Sequence, residues 1–462
     1  MSLASMLHLR TLTLRNFRGF EECEVQLHER LTVLVAENGS GKTAILDAIG
    51  IALGLFVDAV SGIRQYPGFE PTDVRRIRGA DGRMAAALPT ELVASGSVDG
   101  ARIDWTRAIP RLDARGHARN TTKGAEELSR AAQGLRDRVE GFAAAGGAKA
   151  RPLLPIVAFY GTGRLWSAHR LTAGKRTSGP EVTGRLAGYI DCLSSSSSFK
   201  SFVAWYEQMA NGVKNPASVA LGPNERPVKL LAAVRKATGI VLEPTGWKDL
   251  DWDFDQKQLV VEHAVHGRLP LTVLSDGVRN MIALVADLAH RCVRLNPHFG
   301  EEAARSTPGI LLIDEVDMHL HPRWQQLVVD LLRKVFPEMQ MVVSTHSPHV
   351  LSTVDVDSIR IIRMREGAVV LETPTFQTRG VESADVLAAI MGVDPVPQVP
   401  EARWLSDYRA LIEDGKAETP GALALRAKLV DHFTAKHPLL LDCERLIHFQ
   451  SFKRSRARPE AG

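Results

Sequence analysis

The stretch Leu31-Thr32-Val33-Leu34-Val35-Ala36-Glu37-Asn38-Gly39-Ser40-Gly41-Lys42-Thr43 constrains this chain more than any other. An apolar, β-branched run ends in a glycine-rich loop, then Lys-Thr, then an apolar helical pattern from Ala44 to Val57. Strand, loop and helix in that order make a phosphate-binding loop. Successive backbone N–H groups of such a loop form a concave anion site, and the following helix adds the positive end of its dipole. Asn38, Gly39, Ser40, Gly41 and Ala44 are the expected lining of that site. Lys42 would reach the β- and γ-phosphates of a nucleotide, and the Thr43 hydroxyl would take a Mg2+ position. Ala36 stands where the strict GxxxxGK[ST] pattern has its first glycine, and alanine fits that corner only if its φ is negative. The competing reading is a tight strand-to-helix turn with a surface lysine.

A length of 462 residues suits two to four domains. With 45% apolar and 24% charged residues the composition is that of an ordinary globular protein. A net charge of +4 permits nucleic-acid contact without requiring it. Cys23, Cys192, Cys292 and Cys443 are far apart and show no metal-ligand spacing, which reads as reduced thiols in a cytoplasmic protein. The N-terminus lacks a basic segment followed by an apolar run, so no signal peptide is expected. The apolar stretch Ala44 to Val57 is short and carries Asp47, which reads as a buried helix and gives no membrane partner.

Along the chain, Leu7, Leu9, Thr11 and Thr13 alternate onto one face, with further runs at Glu24 to Leu27 and Leu31 to Val35; they predict a small antiparallel set of strands feeding the phosphate-loop strand. Residues 58 to 85 are irregular and basic (Arg64, Arg75, Arg76, Arg78, Arg83), either a solvated loop or a nucleic-acid or partner contact. A strand pair is expected at Thr90 to Ser97 and Ala101 to Ile109, a mobile insertion at 111 to 151 with a helix around Gly124 to Phe142, and a buried strand at Leu153 to Phe159. That strand opens into Tyr160-Gly161-Thr162-Gly163-Arg164-Leu165-Trp166, whose glycines permit close backbone approach. Ser194 to Ser198 reads as a link, and Phe202, Trp205, Tyr206 and Met209 as the core stripe of a helix. Asp249, Asp251, Asp253 and Asp255 alternate, so in a strand they would share one face. They are either a cation site or the wet face of an edge strand, with Leu259 to His263 as the partner strand.

The second half carries further polar tips on apolar runs. Leu274-Ser275-Asp276-Gly277 opens a long amphipathic helix over Val278 to Val293, with Ser275 as its cap and the N–H groups of Ser275 and Gly277 open to an anion. Gly309-Ile310-Leu311-Leu312-Ile313-Asp314-Glu315 has the composition of a buried parallel strand ending in two acids. At the carboxyl end of a doubly wound sheet those acids would lie beside the phosphate loop. Asp314 would help hold Mg2+ through water, and Glu315 would activate the attacking water. Met341 to Thr345 repeats the pattern and ends at His346, which could contact a γ-phosphate. His319, His321 and His349 are given turn roles, because their spacing is poor for zinc.

Together these pieces resemble the ABC-type ATPases of the SMC, Rad50 and RecF group. Ala36 to Thr43 matches the Walker A motif, Leu274 to Gly277 the signature, Ile310 to Glu315 Walker B, Val316 to Pro322 the D-loop, and His346 the switch histidine. The signature reads LSDG instead of LSGG, and Gln65 is the nearest candidate for the Q-loop glutamine. A narrower likeness is to the ATPases of bacterial anti-phage systems, the PtuA proteins of Septu and their retron-associated relatives. It rests on Phe17-Arg18-Gly19-Phe20, on 160 to 166, on DEVDMHLHPRWQQ at 314 to 326, on STHSPHVLS at 344 to 352 and on ESADVLAAIMGVD at 382 to 394.

The resemblance implies an α/β ATPase head: a parallel core sheet carrying the phosphate loop, an N-terminal antiparallel β lobe, an inserted helical region and a C-terminal helical region. The expected parts are 1 to 160 and 256 to 375 for the head, 161 to 255 for the mostly helical insertion, and 376 to 462 for the C-terminal helices and partner binding. Two heads would sandwich ATP and Mg2+, each nucleotide touching Lys42 and Thr43 of one head and Ser275 and Gly277 of the other. Such a dimer is isologous, and larger oligomers stay open. The implied function is an ATP-hydrolysing subunit that controls a separate HNH nuclease. A DNA-repair ATPase of RecF type is the alternative, with DNA or RNA as its ligand. A transporter subunit is disfavoured by the more than two hundred residues between Walker A and the signature, and a self-contained nuclease by the lack of metal ligands. The tail with Lys453, Arg454, Arg456 and Arg458 reads as a solvated end or a nucleic-acid arm.

Overall fold

The computed structural model describes residues 6–37, 39–66, 68–79, 82–113, 120–122, 124–144, 151–164, 184–194, 199–215, 219, 226–365 and 368–457. Asn38, Leu165-Trp166, Ser195–Ser198 and Arg458 lie outside them. The chain forms two compact units, Met1–Val386 and Leu387–Gly462.

The first unit opens with a hairpin, β1 (Leu7–Phe17) and β2 (Phe20–Gln26), followed by β3 (Leu31–Val35) and α1 (Lys42–Ser61). An exposed ribbon, β4 (Arg76–Arg78) and β5 (Met84–Ala86), precedes the pair β6 (Thr90–Val98) and β7 (Ala101–Ile109). Then come α2 (Glu126–Ala144), β8 (Ile156–Tyr160), α3 (Phe199–Lys214), α4 (Pro227–Leu242) and the meander β9 (Trp247–Asp253), β10 (Gln258–His263) and β11 (Gly267–Pro270). The unit continues through α5 (Asp276–Leu295), α6 (Ala303–Ser306), β12 (Gly309–Ile313), α7 (Pro322–Gln325), α8 (Val328–Val335), β13 (Met339–Thr345), α9 (Pro348–Leu351), β14 (Ile359–Arg365), β15 (Ala368–Glu372) and the start of α10 (Ser383–Met391).

Two sheets carry the unit. One is antiparallel, in the order β2-β1-β6-β7; the other has six strands in the order β15-β14-β3-β13-β12-β8. In the second only β15 runs antiparallel. β3, β8, β12 and β13 are buried at every residue, as unbroken apolar runs in a sheet covered on both faces must be. α1 packs on β6 and β7 on one side and on β8 and β13 on the other. The Trp105 indole donates to the Ala52 carbonyl of α1 at 2.9 Å. Each fully buried Leu, Ile or Phe of that helix contributes about 1.5–3 kcal/mol. By length and composition alone α1 could cross a membrane, but most of it is buried inside this unit.

β3, the strand that carries the phosphate loop, lies in the parallel sheet between β14 and β13, as its uniformly apolar composition suits. One expectation for the N-terminal strands needs correction. In β1 the pairing with β6 slips between Leu9 and Thr11, so the buried face runs Leu7, Leu9, then Leu12, Leu14 and Phe17, and Thr13 turns outward. One extra residue reverses the phase of a period-two pattern.

The aromatic stripe of α3 is core, with Phe202, Trp205, Tyr206 and Met209 all buried. Asp251 and Asp253 lie on the wetter face of the edge strand β9, opposite the buried Leu250 and Trp252, while Asp249 and Asp255 depart from that row. Asp249 has φ 53, and β9 ends at Asp253, which accepts from the N–H groups of Asp255 and Gln256 at 2.9 and 3.0 Å in the turn. Asp251 pairs with Arg235 and Arg268 on the edge strand of the β9–β11 meander. Among the described residues no group of three or more His, Cys, Asp or Glu is arranged to hold a metal.

In the second unit, α11 (Pro400–Glu413), α12 (Pro420–Phe433) and α13 (Pro438–Ala457) close on Tyr408, Ile412, Ala422, Leu429, Leu440 and Cys443.

Candidate nucleotide site

β3, β12, β13 and β8 are parallel and in register, so their carboxyl ends share one edge: Val35 pairs with Thr345, Ile313 with Val343 and Ile313 with Tyr160. The residues just past those ends form the site. The loop after β3 turns on Gly39 and Gly41, with φ 78 and 98. A side chain at Gly41 would also run into the Phe20 ring. Ala36 is not among the residues with positive φ, so alanine sits at that corner without strain. Ser40 N donates to the Glu37 carbonyl at 3.4 Å, and Ala44 is buried in the first turn of α1.

Lys42 begins α1 and is 6% exposed. Its Nζ donates to the carbonyls of Ala36 at 2.9 Å and Glu37 at 3.1 Å, which folds it over the loop. Burial pulls its pKa below the ordinary lysine value, while Asp314, Glu315 and Asp317 act to hold the charge. Thr43 Oγ1 donates to Asp314 Oδ2 at 2.8 Å, across 271 residues of sequence.

Asp314 is held from three sides. Ser344 Oγ donates to its Oδ1 at 2.5 Å, Thr43 takes Oδ2, and its own N–H donates to the Tyr160 carbonyl at 2.9 Å. Glu315 follows with φ 48, an uncommon conformation for a side chain of this size, and its N–H donates to Ser344 Oγ at 2.8 Å. Backbone strain of this kind persists where the surroundings over-determine it, and it clusters at functional sites. Thr345 Oγ1 donates to Asp317 Oδ1 at 2.5 Å, which ties the next residue of β13 to the D-loop segment. His346 comes immediately after. Burial first, then the Lys42 charge, lowers its pKa, so a neutral imidazole faces the site at physiological pH.

Lys42, Thr43, Asp314, Glu315 and His346 therefore converge, as their positions in sequence predict. Ser344, Thr345, Asp317 and Tyr160 were missed as site residues. The signal for Ser344 and Thr345 was two hydroxyls at the tip of a buried strand. Tyr160 left only its place at the end of β8.

Ser275 occupies the N-cap position of α5, but its side chain makes no capping bond, contrary to expectation. Gly277 packs against the His319 carbonyl and Leu320, where any side chain would collide, so the signature lies on the D-loop of the same head. Asp276, which replaces a glycine of the family pattern, is paired with Arg279. The remaining histidines are structural. His319 has φ 60, His321 Nδ1 accepts from Arg323 N at 3.3 Å, and His349 bonds Ser383 Oγ at 2.7 Å instead of serving a turn. Gln65 bridges Ser61 Oγ and the Asp191 N–H, linking the end of α1 to the 184–193 segment.

The donor set suits Mg2+, a hard cation that takes oxygen ligands and keeps several for phosphate and water. A hydroxyl and a carboxylate stand 2.8 Å apart at the start of a helix whose N–H groups are open to an anion.

Residues 237–352 match a family model described as an AAA domain, putative AbiEii toxin, Type IV TA system, and residues 11–213 match one described as an AAA domain. The retron Vc95 probable ATPase of Vibrio cholerae serotype O1 biovar El Tor is 25% identical over 462 residues, 89% of this chain and 85% of that protein. The Septu protein PtuA of Bacillus thuringiensis is 28% identical over 157 residues, 33% of this chain and 40% of that protein. Among solved structures, the SMC head domain from Thermotoga maritima aligns with 79% of this chain and 98% of its own, at 16% identity and a TM-score of 0.42. The matched models, the relatives and the motifs joined at one sheet edge support an SMC/Rad50-like ABC-type ATPase, similar to a retron ATPase and to Septu PtuA.

Proposed function

We propose that this chain binds and hydrolyses ATP with Mg2+ as the regulatory subunit of a cytoplasmic anti-phage defence complex, in which paired heads control a separate HNH nuclease. The observation that carries the ATPase part is the contact of Thr43 with Asp314, beside Lys42 and under Glu315. Lys42 leaves its two loop carbonyls to bind the β- and γ-phosphates. Thr43 and Asp314 would hold Mg2+, which supplies neutralising charge at the phosphate oxygens. Glu315 orients and deprotonates the attacking water, and neutral His346 donates to the γ-phosphate. Ser275 and the open N–H groups at the start of α5 complete the site of the opposite head, which makes the dimer isologous. Arg279, by pairing Asp276, removes a carboxylate that would repel that phosphate. The names of the retron and Septu relatives support the defence role. The C-terminal unit is the proposed nuclease contact, with Phe449 and Phe452 exposed on α13.

Glu315→Gln tests the reading. ATP affinity should hold and turnover fall about 10²–10⁴-fold, the usual worth of a general base. The bound nucleotide should then trap a dimer visible by light scattering. Hydrolysis at the original rate in this variant would falsify the assignment of the base.

A DNA-repair ATPase is the second reading, favoured by the exposed β4–β5 ribbon. Residues 74–87 carry Arg75, Arg76, Arg78 and Arg83 against Asp81 alone, a net charge of +3 in that segment. Steeply salt-dependent binding of a DNA duplex, lost in Arg76→Glu/Arg78→Glu, would favour it.

A further inference from the structure

β8 carries none of the expected catalytic groups, yet it is clamped to the signature helix at both ends. At its start, Asn296, the residue that ends α5, exchanges two bonds with Leu154: Leu154 N donates to Oδ1 at 3.0 Å, and Nδ2 donates to the Leu154 carbonyl at 2.8 Å. At its end, the Tyr160 hydroxyl donates to Asp287 Oδ2 at 2.7 Å. Arg291, one turn further along α5, donates to the same oxygen at 2.8 Å, and also to the carbonyls of Gly188 and Ile190 at 3.1 and 2.7 Å. Asp287 and Arg291 are nearly inaccessible, at 3% and 6% exposure. The next contact decides what the clamp acts on: the Tyr160 carbonyl receives the N–H of Asp314.

A buried ion pair is weak evidence for stability, since desolvation offsets much of the attraction. Here the cost is larger than usual. Among the described residues Asp287 Oδ1 has no hydrogen-bond partner, and neither has either nitrogen of His290, whose Nδ1 lies 4.0 Å from that oxygen. Such orphaned groups call for a reason other than stability. Asp287 is nonetheless charged. Burial would raise its pKa, but the Arg291 guanidinium outweighs that and holds it below the usual carboxylate range. Burial, then the Asp287 charge, pushes the Tyr160 phenol well above its ordinary value, so it stays protonated and can only donate here.

We infer that Tyr160, Asp287 and Arg291 are positioning residues for the Mg2+ ligand Asp314: the signature helix fixes the tip of β8, and the tip of β8 fixes the backbone of the Walker B acid. The inference rests on the ATPase reading above and goes beyond it by assigning three residues that touch neither nucleotide nor metal. It also gives α5 a second task. Asp287 lies about 18 Å along the helix from Ser275, twelve residues at 1.5 Å each, so one rigid element joins the contact to the opposite head with the metal position of its own head.

The test uses the full chain and Tyr160→Phe, which removes one oxygen and keeps the ring. ATP binding is measured first without Mg2+, then turnover is titrated with Mg2+. The variant should bind ATP within about twofold of wild type, and need about 10-fold or more extra Mg2+ for half-maximal turnover, the usual effect of losing a hydrogen bond behind a metal ligand. Excess Mg2+ should restore turnover. The paired change Asp287→Leu/Arg291→Met, which leaves no unpaired charge, should shift the Mg2+ requirement in the same direction. Half-saturation within twofold of wild type in Tyr160→Phe, or a loss of turnover that excess Mg2+ does not restore, overturns the inference. If wild type binds no ATP, the ATPase reading fails first and the inference falls with it. If wild type turns ATP over normally and only the Mg2+ shift is missing, the inference alone fails.

Discussion

The phosphate edge and the clamp behind it are built from the same kinds of group but are written differently into the chain. At the edge, nearly everything lies in three short segments, 36–44, 314–317 and 344–346, each at the tip of a buried strand. The clamp is assembled from Tyr160, Asp287, Arg291 and Asn296, with 127 residues between the phenol and its carboxylate. The edge has many bonds from backbone to side chain, and its geometry follows from strand register. The clamp hangs on side chains that meet only after α5 has docked. Chemistry that follows from register is robust to small changes in packing. Chemistry that depends on docking can be moved by whatever moves the helix.

The largest effect should come from the edge. Lys42→Ala removes the cation folded over the loop, and its two carbonyl bonds to Ala36 and Glu37. The loop N–H groups remain, but the phosphate charge loses its counter-charge. ATP binding, read by a fluorescent analogue, should fall about 100-fold or more, the scale of a charge-assisted contact of about 3 kcal/mol. Undiminished affinity would break the comparison, because it would mean that the edge does not bind phosphate.

The same contrast explains what the sequence made legible. Strand tips followed by Gly-Lys-Thr, Asp-Glu or Ser-Thr-His report their chemistry locally, since a buried run must end where the polar residues begin. The phase of β1 was not legible, because the slip after Leu9 depends on what β6 presents opposite. Nor was the strand order that sets β3 between β14 and β13, although its unbroken apolar run marks it for a parallel sheet. Asp287 and Arg291 look like an ordinary i, i+4 pair on a solvated helix face, and only the fold shows that face to be interior. Ser275 illustrates the converse: a residue of the right type at the cap position that makes no capping bond.

A smaller effect tests the clamp side. His290, on α5 next to Asp287 and Arg291, packs at a tilt against the Trp205 ring at 4.4 Å and the Phe202 ring at 5.9 Å. Burial lowers its pKa to about 4 from 6.5, although Asp287 acts to raise it. The unfolded chain therefore takes up a proton near pH 6.5 and the folded chain does not, so stability is full above that pH and declines as pH falls toward 4. Between pH 7 and pH 4.5 the loss from this group is about 2.5 kcal/mol. Urea unfolding of wild type and His290→Phe across that range should converge on acidification by about that amount. Parallel curves would mean that the ring is not held neutral, and the clamp would be wetter than its burial suggests.

The smallest effect returns to the edge, where Ala36 breaks the family pattern. Its φ is not positive, it is 6% exposed, and its contribution to the site is the carbonyl that receives Lys42 Nζ at 2.9 Å. None of this needs glycine. Ala36→Gly would restore the motif on paper, yet it leaves the carbonyl, the loop N–H groups and the lysine where they are. What it changes is the unfolded chain, which gains freedom that folding must remove, at a cost of about 0.5–1 kcal/mol. ATP affinity and turnover should stay within about twofold of wild type while the urea midpoint falls slightly. A marked gain in turnover would show the alanine to be a brake on the loop, and the edge would then depend, like the clamp, on side-chain packing as well as backbone register.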